Sequence, residues 1–336
     1  MNSTHGILNV LEKEEFDGQN QKEILQWLLN LQYFIISFVS PGISIIGIIN
    51  NILIMIIMTT KGTKLNYNAR IYYVAIAAGD LGSLMFSYIR SFLTDGLWYI
   101  TKGQFHLTIE DPIICKFIYV LFVFNFLLST YGVIAFTIER NFALYFPFKH
   151  KVCMTPKRVF ILLCCCVLFP FVVHAPISFV SITSLYLGKG QLPVCYADPK
   201  SSFYGAFAIT SMVFNLISPP ILTSIFVIAI VYKIIQAKTK KFESFNNQKG
   251  ISKSEMKTVL TLLSVAMINI LIFFPITIFF GGSFLLRAIA PNSFIRNIWE
   301  SLGRIGYQFS SLSHSLNFFV YLIQIQSFRR KLFCQI

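Results

Sequence analysis

Charged side chains are scarce in this sequence. Asp, Glu, Lys and Arg make up 12% of the 336 residues, whereas 55% are hydrophobic, a balance too apolar for a soluble domain of that size. There is neither an H-E-x-x-H nor a G-x-S-x-G pattern, so the chain lacks the metal and nucleophile signatures expected of an intramembrane enzyme. No repeated halves of the kind many transporters carry are visible. No low-complexity tract and no separate soluble domain stand out either. The first 26 residues are polar and acidic rather than a basic stretch ahead of an apolar core, so no cleavable signal peptide is expected.

What is present is a series of long apolar runs. A membrane-crossing helix needs about 20 mostly apolar residues, and seven runs reach that length: 29–58, 70–94, 113–138, 158–182, 203–235, 257–286 and 299–324. The expected fold is therefore all-α, a bundle of seven transmembrane helices over 29–324. Residues 1–28 form a segment ahead of it and residues 325–336 a tail. In that tail Ile325, Phe328 and Leu332 share one helical face, with Arg329, Arg330 and Lys331 mostly away from it, as in a short amphipathic helix lying on the membrane surface. Cys334 follows directly and fits a palmitoylation site.

Charge sets the expected orientation. Eighteen of the 28 Lys and Arg lie in the loops after runs one, three and five or in the tail, while ten of the 14 acidic residues, Asp95, Glu110, Asp111 and Glu300 among them, lie on the other side. By the positive-inside rule the N-terminus is outside and the tail cytoplasmic. The net charge of +14 then follows from topology and suits anionic inner-leaflet lipid rather than nucleic acid. Of seven cysteines, Cys115 and Cys195 fall on the side that permits disulfides; Cys164, Cys165 and Cys166 read as packing residues of the fourth run. Asn2 opens an N-S-T glycosylation pattern on the outer side.

Polar groups within the runs are few, and an ionisable one is a functional candidate by default because of its cost in the bilayer. Asp80 lies mid-way along the second run and needs a cation, a proton or water. Asn125 and Ser129 are spaced i and i+4 on the third run, on one face, and Arg140 is eleven residues further on that face, about 16 Å along the axis. The seventh run adds Ser311, Ser313, Ser315, Asn317 and Tyr321, and the first adds Asn50 and Asn51; the small polar ones also serve elsewhere as interhelical glue. His174 and His314 stand isolated and read as packing or hydrogen-bonding residues.

Taken together these positions resemble the rhodopsin-like, or class A, G protein-coupled receptors. "NNILI" with Asn51 looks like the family's first-span motif, and "AAGDL" with Asp80 like its second-span motif. Cys115 precedes Arg140 by 25 residues, as the family's disulfide cysteine precedes its Arg, and "ERNFALYFP" matches the Glu/Asp-Arg-Tyr motif with Asn141 in place of Tyr. Pro275 in "IFFPIT" matches the sixth-span proline, and "NFFVYLIQIQSFRRKLF" the Asn-Pro-x-x-Tyr motif and following helix. Phe318 replaces that motif's Pro, Phe273 replaces the sixth-span Trp, and no Trp stands in the fourth span. The general pattern suggests a divergent invertebrate-type member of the peptide or chemosensory branches.

The resemblance implies a location at the plasma membrane and a role for each group. Cys115 and Cys195 are implied to form a disulfide. Glu139 and Glu255 would hold Arg140 in the resting state, an exposed-edge interaction worth about 1 kcal/mol. Asn317 and Tyr321 would join that switch, and outward movement of the sixth helix would free Arg140 for a heterotrimeric G protein. Asp80, Asn125, Ser129, Ser313 and Asn317 would line a small water or sodium pocket, the one cofactor implied. The alternative there is an uncharged hydrogen-bonded cluster.

An outer pocket for an extracellular peptide or small chemosensory molecule would draw on Arg90, Tyr119, Phe122, Phe273, Phe280, Arg304 and Tyr307, mixing aromatic area with a few charges. Arg90 could instead pair with Asp95, Glu110 or Glu300. Phe122 stands where amine receptors carry Asp, and the seventh run has no Lys for a retinal Schiff base. The competing reading from topology alone is a seven-span ligand-gated channel or a non-signalling membrane protein.

Overall fold

The computed structural model describes residues 3–60, 65–102, 104–105, 107, 111–186, 193–198, 201–243, 253–289 and 293–334; the side chains at 3–18, 184–186, 193–197, 237–243, 253–255, 284–285, 287–288 and 334 lie outside that description. The first helix runs from Ser3 through a wide π-type turn at Ile35–Val39 to Thr59, so no break separates residue 28 from 29. The second helix, Tyr67–Ser87, continues through a π-type segment at Tyr88–Gly96 to Ile100. The third is Pro112–Tyr145 and the fourth Pro156–Ser181. The fifth comprises Tyr204–Ser211, a π-type turn at Met212–Ile217 and Ser218–Glu243. The sixth is Lys253–Ile289 and the seventh Phe294–Gln324. A short helix, Pro147–Cys153, links the third and fourth, and Gln326–Cys334 forms the tail helix.

Local chemistry starts these helices. Asn66, Asp111 and Ser293 each accept a backbone N–H from the first turn of the second, third and seventh helix, satisfying a donor that has no partner inside the helix. Pro112, Pro147 and Pro156 sit in the first turn, where a missing N–H costs nothing. The turn in the fifth helix has a specific cause. Pro219 and Pro220 bring no N–H, and two nearby carbonyls bond across to other helices: Tyr131 donates to the Phe214 carbonyl at 3.2 Å and Thr277 to that of Leu216 at 2.7 Å.

The helices close into a ring: first against second, second against third, fifth against sixth, sixth against seventh, and seventh back on first. The third helix touches the second, fourth, fifth and sixth and so runs through the middle. Among the described residues five helices are long and apolar enough to cross a membrane by length and composition. The second and seventh fall short because they carry the polar residues, Asp80 on one and a run of Ser, His and Asn on the other. Their polar sides face inward, whereas the ring's outer surface is apolar, as at Ile49, Phe169, Ile228 and Leu271.

Glycine permits the closest approaches. A Cβ on Gly79 would lie 2.5 Å from the Ser129 backbone nitrogen, so the second and third helices meet backbone to backbone beside Asp80. One addition to the all-helical expectation is an antiparallel hairpin, β1 (Ile182–Tyr186) with β2 (Pro193–Ala197), paired from Ile182 opposite Ala197 to Tyr186 opposite Pro193. It packs on the third helix and marks one end of the bundle, the tail helix the other.

Candidate functional site

The centre of the bundle is built around Asp80, whose side chain is fully buried. Ser129 Oγ bonds Oδ1, His314 Nδ1 lies 2.7 Å from the same oxygen, and Asn317 Nδ2 donates to Oδ2 at 2.7 Å. The first helix fixes the seventh in this register. Asn51 Nδ2 donates to the carbonyls of Gly47 and His314, both at 2.9 Å, and Asn50 Nδ2 reaches the Ser315 carbonyl. His314 is thus the cluster's third partner rather than an isolated ring. The signal that finds it is spacing, since 314 and 317 share a face at i and i+3 and face the acid the second helix needed to neutralise.

Two residues expected in this cluster are not part of it. Asn125 donates its amide to the Leu121 carbonyl one turn back and lies over Gly82, and Ser313 donates to the Ser310 carbonyl. Both are thereby satisfied within their own helix. The remaining set does not fit sodium. A hard cation needs several oxygen lone pairs aimed at one point, whereas here a ring nitrogen and an amide nitrogen lie against the two carboxylate oxygens.

Towards the tail end, Glu139 and Arg140 lie well inside the third helix, which continues to Tyr145. The expected exposed edge is corrected here: Glu139 is 0% exposed and Arg140 3%. Arg140 Nε and one terminal nitrogen engage both Glu139 oxygens, at 2.5 and 2.9 Å. His150, on the short linking helix, approaches Glu139 Oε1 at 2.5 Å. The guanidinium also sits 5.3 Å over the Phe136 ring, which meets Tyr73 edge-on; Tyr73 packs against Tyr321, and Tyr321 against Phe328 of the tail helix. Asn141, in the position of the motif's Tyr, donates to the carbonyls of Thr137 and Phe226 and so ties the third helix to the fifth. Among the described residues the side-chain tie between the sixth and seventh helices at this end is Gln324 Nε2 to Ser264 Oγ, 2.6 Å. The side chain of Glu255 lies outside the described residues.

At the hairpin end a cavity of about 390 Å³ opens between the helices. Arg90, Tyr119, Phe122, Phe273, Phe280, Arg304 and Tyr307 all line it. Each π-type turn contributes to its wall, through Ile36, through Arg90, Ser91 and Asp95, and through Asn215 and Leu216, which accords with the frequent placement of such turns at functional sites. Arg304 pairs with Glu300 at 2.7 Å. Among the described residues Arg90 has no carboxylate within ion-pair distance, although Asp95 lines the same wall; Glu110 lies outside those residues. The floor is Phe126 and Phe273, edge-on at 5.8 Å, and both rings meet His314 edge-on at 6.1 and 6.3 Å. The cavity therefore rests directly on the Asp80 cluster.

This order of parts, a lined cavity over a buried acid over a Glu-Arg pair, stands beside a match of residues 50–321 to the family model described as 7 transmembrane receptor (rhodopsin family). The chain belongs to that family. It is accordingly a multi-pass membrane receptor of the signalling, non-enzymatic kind, with extracellular ligands and G proteins as its general partners.

The other expected positions divide as follows. Cys115 is disulfide-bonded, and Cys195 lies on β2 with its side chain outside the described residues, as does the side chain of Cys334. Asn2 lies outside the described residues altogether. Four further cysteines, Cys153 and Cys164 to Cys166, are free. His174, like His314, is not isolated: it is buried between the fourth and fifth helices, 2.9 Å from Thr210 Oγ1 and 3.1 Å from Ser178 Oγ. Ile325, just ahead of the tail helix, and Phe328 within it are buried, whereas Arg329 and Arg330 are exposed.

Proposed function

We propose that this receptor sits in the plasma membrane with the hairpin end outside, takes an extracellular ligand into the lined cavity, and activates a heterotrimeric G protein by outward movement of the sixth helix. The observation that carries this reading is the stacking of Phe126 and Phe273 between the cavity and His314. A ligand that shifts Phe273, on the sixth helix close to Pro275, acts at the point where that helix lacks a backbone donor and can pivot. The same shift disturbs the ring that holds Asp80. At the inner end Glu139, with Glu255, holds Arg140, and Asn317 and Tyr321 carry the change to it.

The ligand class is a peptide or small chemosensory molecule. Aromatic walls offer area, and Arg90 in the lining offers a place for an acidic group such as a peptide carboxylate. Disulfide pairing of Cys115 with Cys195, glycosylation at Asn2 and palmitoylation at Cys334 complete the reading.

The test is a panel of peptide and metabolite extracts applied to cells that co-express the receptor with a promiscuous G protein. A fraction that raises calcium in these cells should act at least tenfold more weakly on Arg90→Ala and Phe273→Ala at equal surface expression, and not at all on Arg140→Ala. Equal potency on both cavity variants would move the ligand elsewhere on the receptor.

A further inference from the structure

We infer that His314 holds, in this chain, the place beside Asp80 that a cation would otherwise fill, so that the inner cluster excludes sodium and removal of the imidazole creates a sodium site. A fully buried carboxylate must be neutralised or heavily hydrogen-bonded. Here three polar groups converge on Asp80 from two other helices: Ser129 from the third, His314 and Asn317 from the seventh. A carboxylate has room for about four hydrogen bonds, and the occupied positions cover both oxygens. Oδ1, with Ser129 and His314 both against it, has its two positions taken, so a sodium ion finds the imidazole where it would have to sit.

The ring is also held where it stands. Its own carbonyl takes the Asn51 amide, and its faces and edges are bounded by Phe126 and Phe273. Swinging it out would break the Asp80 contact and drive it into two rings. Among the described residues two further oxygens, Ser83 Oγ one turn along the helix from Asp80 and Asn317 Oδ1 on the residue that bonds its Oδ2, are buried without a hydrogen-bond partner. With the imidazole gone, those oxygens, Ser129 Oγ and the bared Asp80 Oδ1 become the hard, neutral-plus-anionic oxygen set that a monovalent cation takes.

The experiment needs no ligand and no G protein, so it stands apart from the proposed function. Purified full-length receptor is unfolded by heat in sodium, potassium or choline chloride at matched ionic strength near ~0.15 M, followed by tryptophan fluorescence. The wild-type Tm should be the same in all three. His314→Ser should show a Tm about 2–4 °C higher in sodium than in choline, the shift expected for ligand binding worth about 1 kcal/mol, and Asp80→Asn in that background should abolish the difference. His314→Ala serves as a second vacated site if the serine variant folds poorly. A sodium-selective rise in the wild-type Tm overturns the exclusion, and sodium-blind unfolding of both vacated variants overturns the idea that the imidazole occupies the cation's place.

Discussion

Glu139 shows how far one residue's surroundings change its energetics. Read from the sequence, an acid beside an Arg at the end of an apolar run is an exposed pair worth little. In the fold the third helix continues past it, and the acid is wholly enclosed with Arg140 and His150 as partners. Removing one member of a buried pair leaves the other uncompensated, at about 3–5 kcal/mol. Glu139→Ala should therefore lower the thermal stability of purified receptor by an amount of that order and raise ligand-independent signalling, since Arg140 loses its nearest anchor. A mild shift within a degree of wild type would show that water reaches Arg140 after all. His150→Ala should have a smaller effect on stability, about 1.5–3 kcal/mol, the range for a hydrogen bond to a charged group, because both Glu139 oxygens keep their bonds to Arg140. Nothing in the sequence placed His150 here: it reaches Glu139 only because Pro147–Cys153 folds as a helix and turns back under the third.

At the scale of whole helices, the length of the apolar runs located all seven elements, including the two that carry most of the polar groups. Among the described residues the first, third, fourth, fifth and sixth helices are apolar enough along their length to cross a membrane, and the second and seventh are less so because they turn polar groups such as Asp80 and His314 inward. The π-type turns were invisible because they depend on partners in other helices, as with Tyr131 and Thr277 at the Pro219–Pro220 step. Phe318, where the family motif has Pro, is accounted for by packing: it meets Phe328 edge-on at 5.6 Å and helps bury the tail helix. The seventh helix consequently runs unbroken to Gln324, which bonds Ser264 on the sixth. If the sixth helix moves outward on activation, this bond must break. Gln324→Ala and Ser264→Ala should each raise basal signalling two- to fivefold, a bond of about 0.5–1 kcal/mol, and the double variant should do no more than either one. Additive effects would mean that the two residues act separately.

The whole molecule joins two ends of different character through one inner seam, and its orientation decides which end meets ligand. The first helix reaches beyond the bundle at the hairpin end, where Leu28 packs with Ile35 and Ile305 and Tyr33 stacks on Tyr99 at 5.1 Å. That extension brings Gln32 to the cavity wall, so the cavity belongs to the side on which the acidic N-terminal segment lies. The opposite end exposes Lys149, Lys151, Arg158, Arg329 and Arg330, and each basic group near an anionic leaflet contributes about 1 kcal/mol. Reversing the receptor would move these charges to the leaflet that lacks anionic lipid and put the cavity in the cytosol, out of reach of an extracellular ligand. An epitope fused ahead of Met1 should thus be stained on intact cells, and one fused after Ile336 only once the membrane is made permeable. Staining in the reverse pattern would leave the buried Asp80 cluster as described but would turn the cavity, and with it the proposed direction of signalling, the other way round.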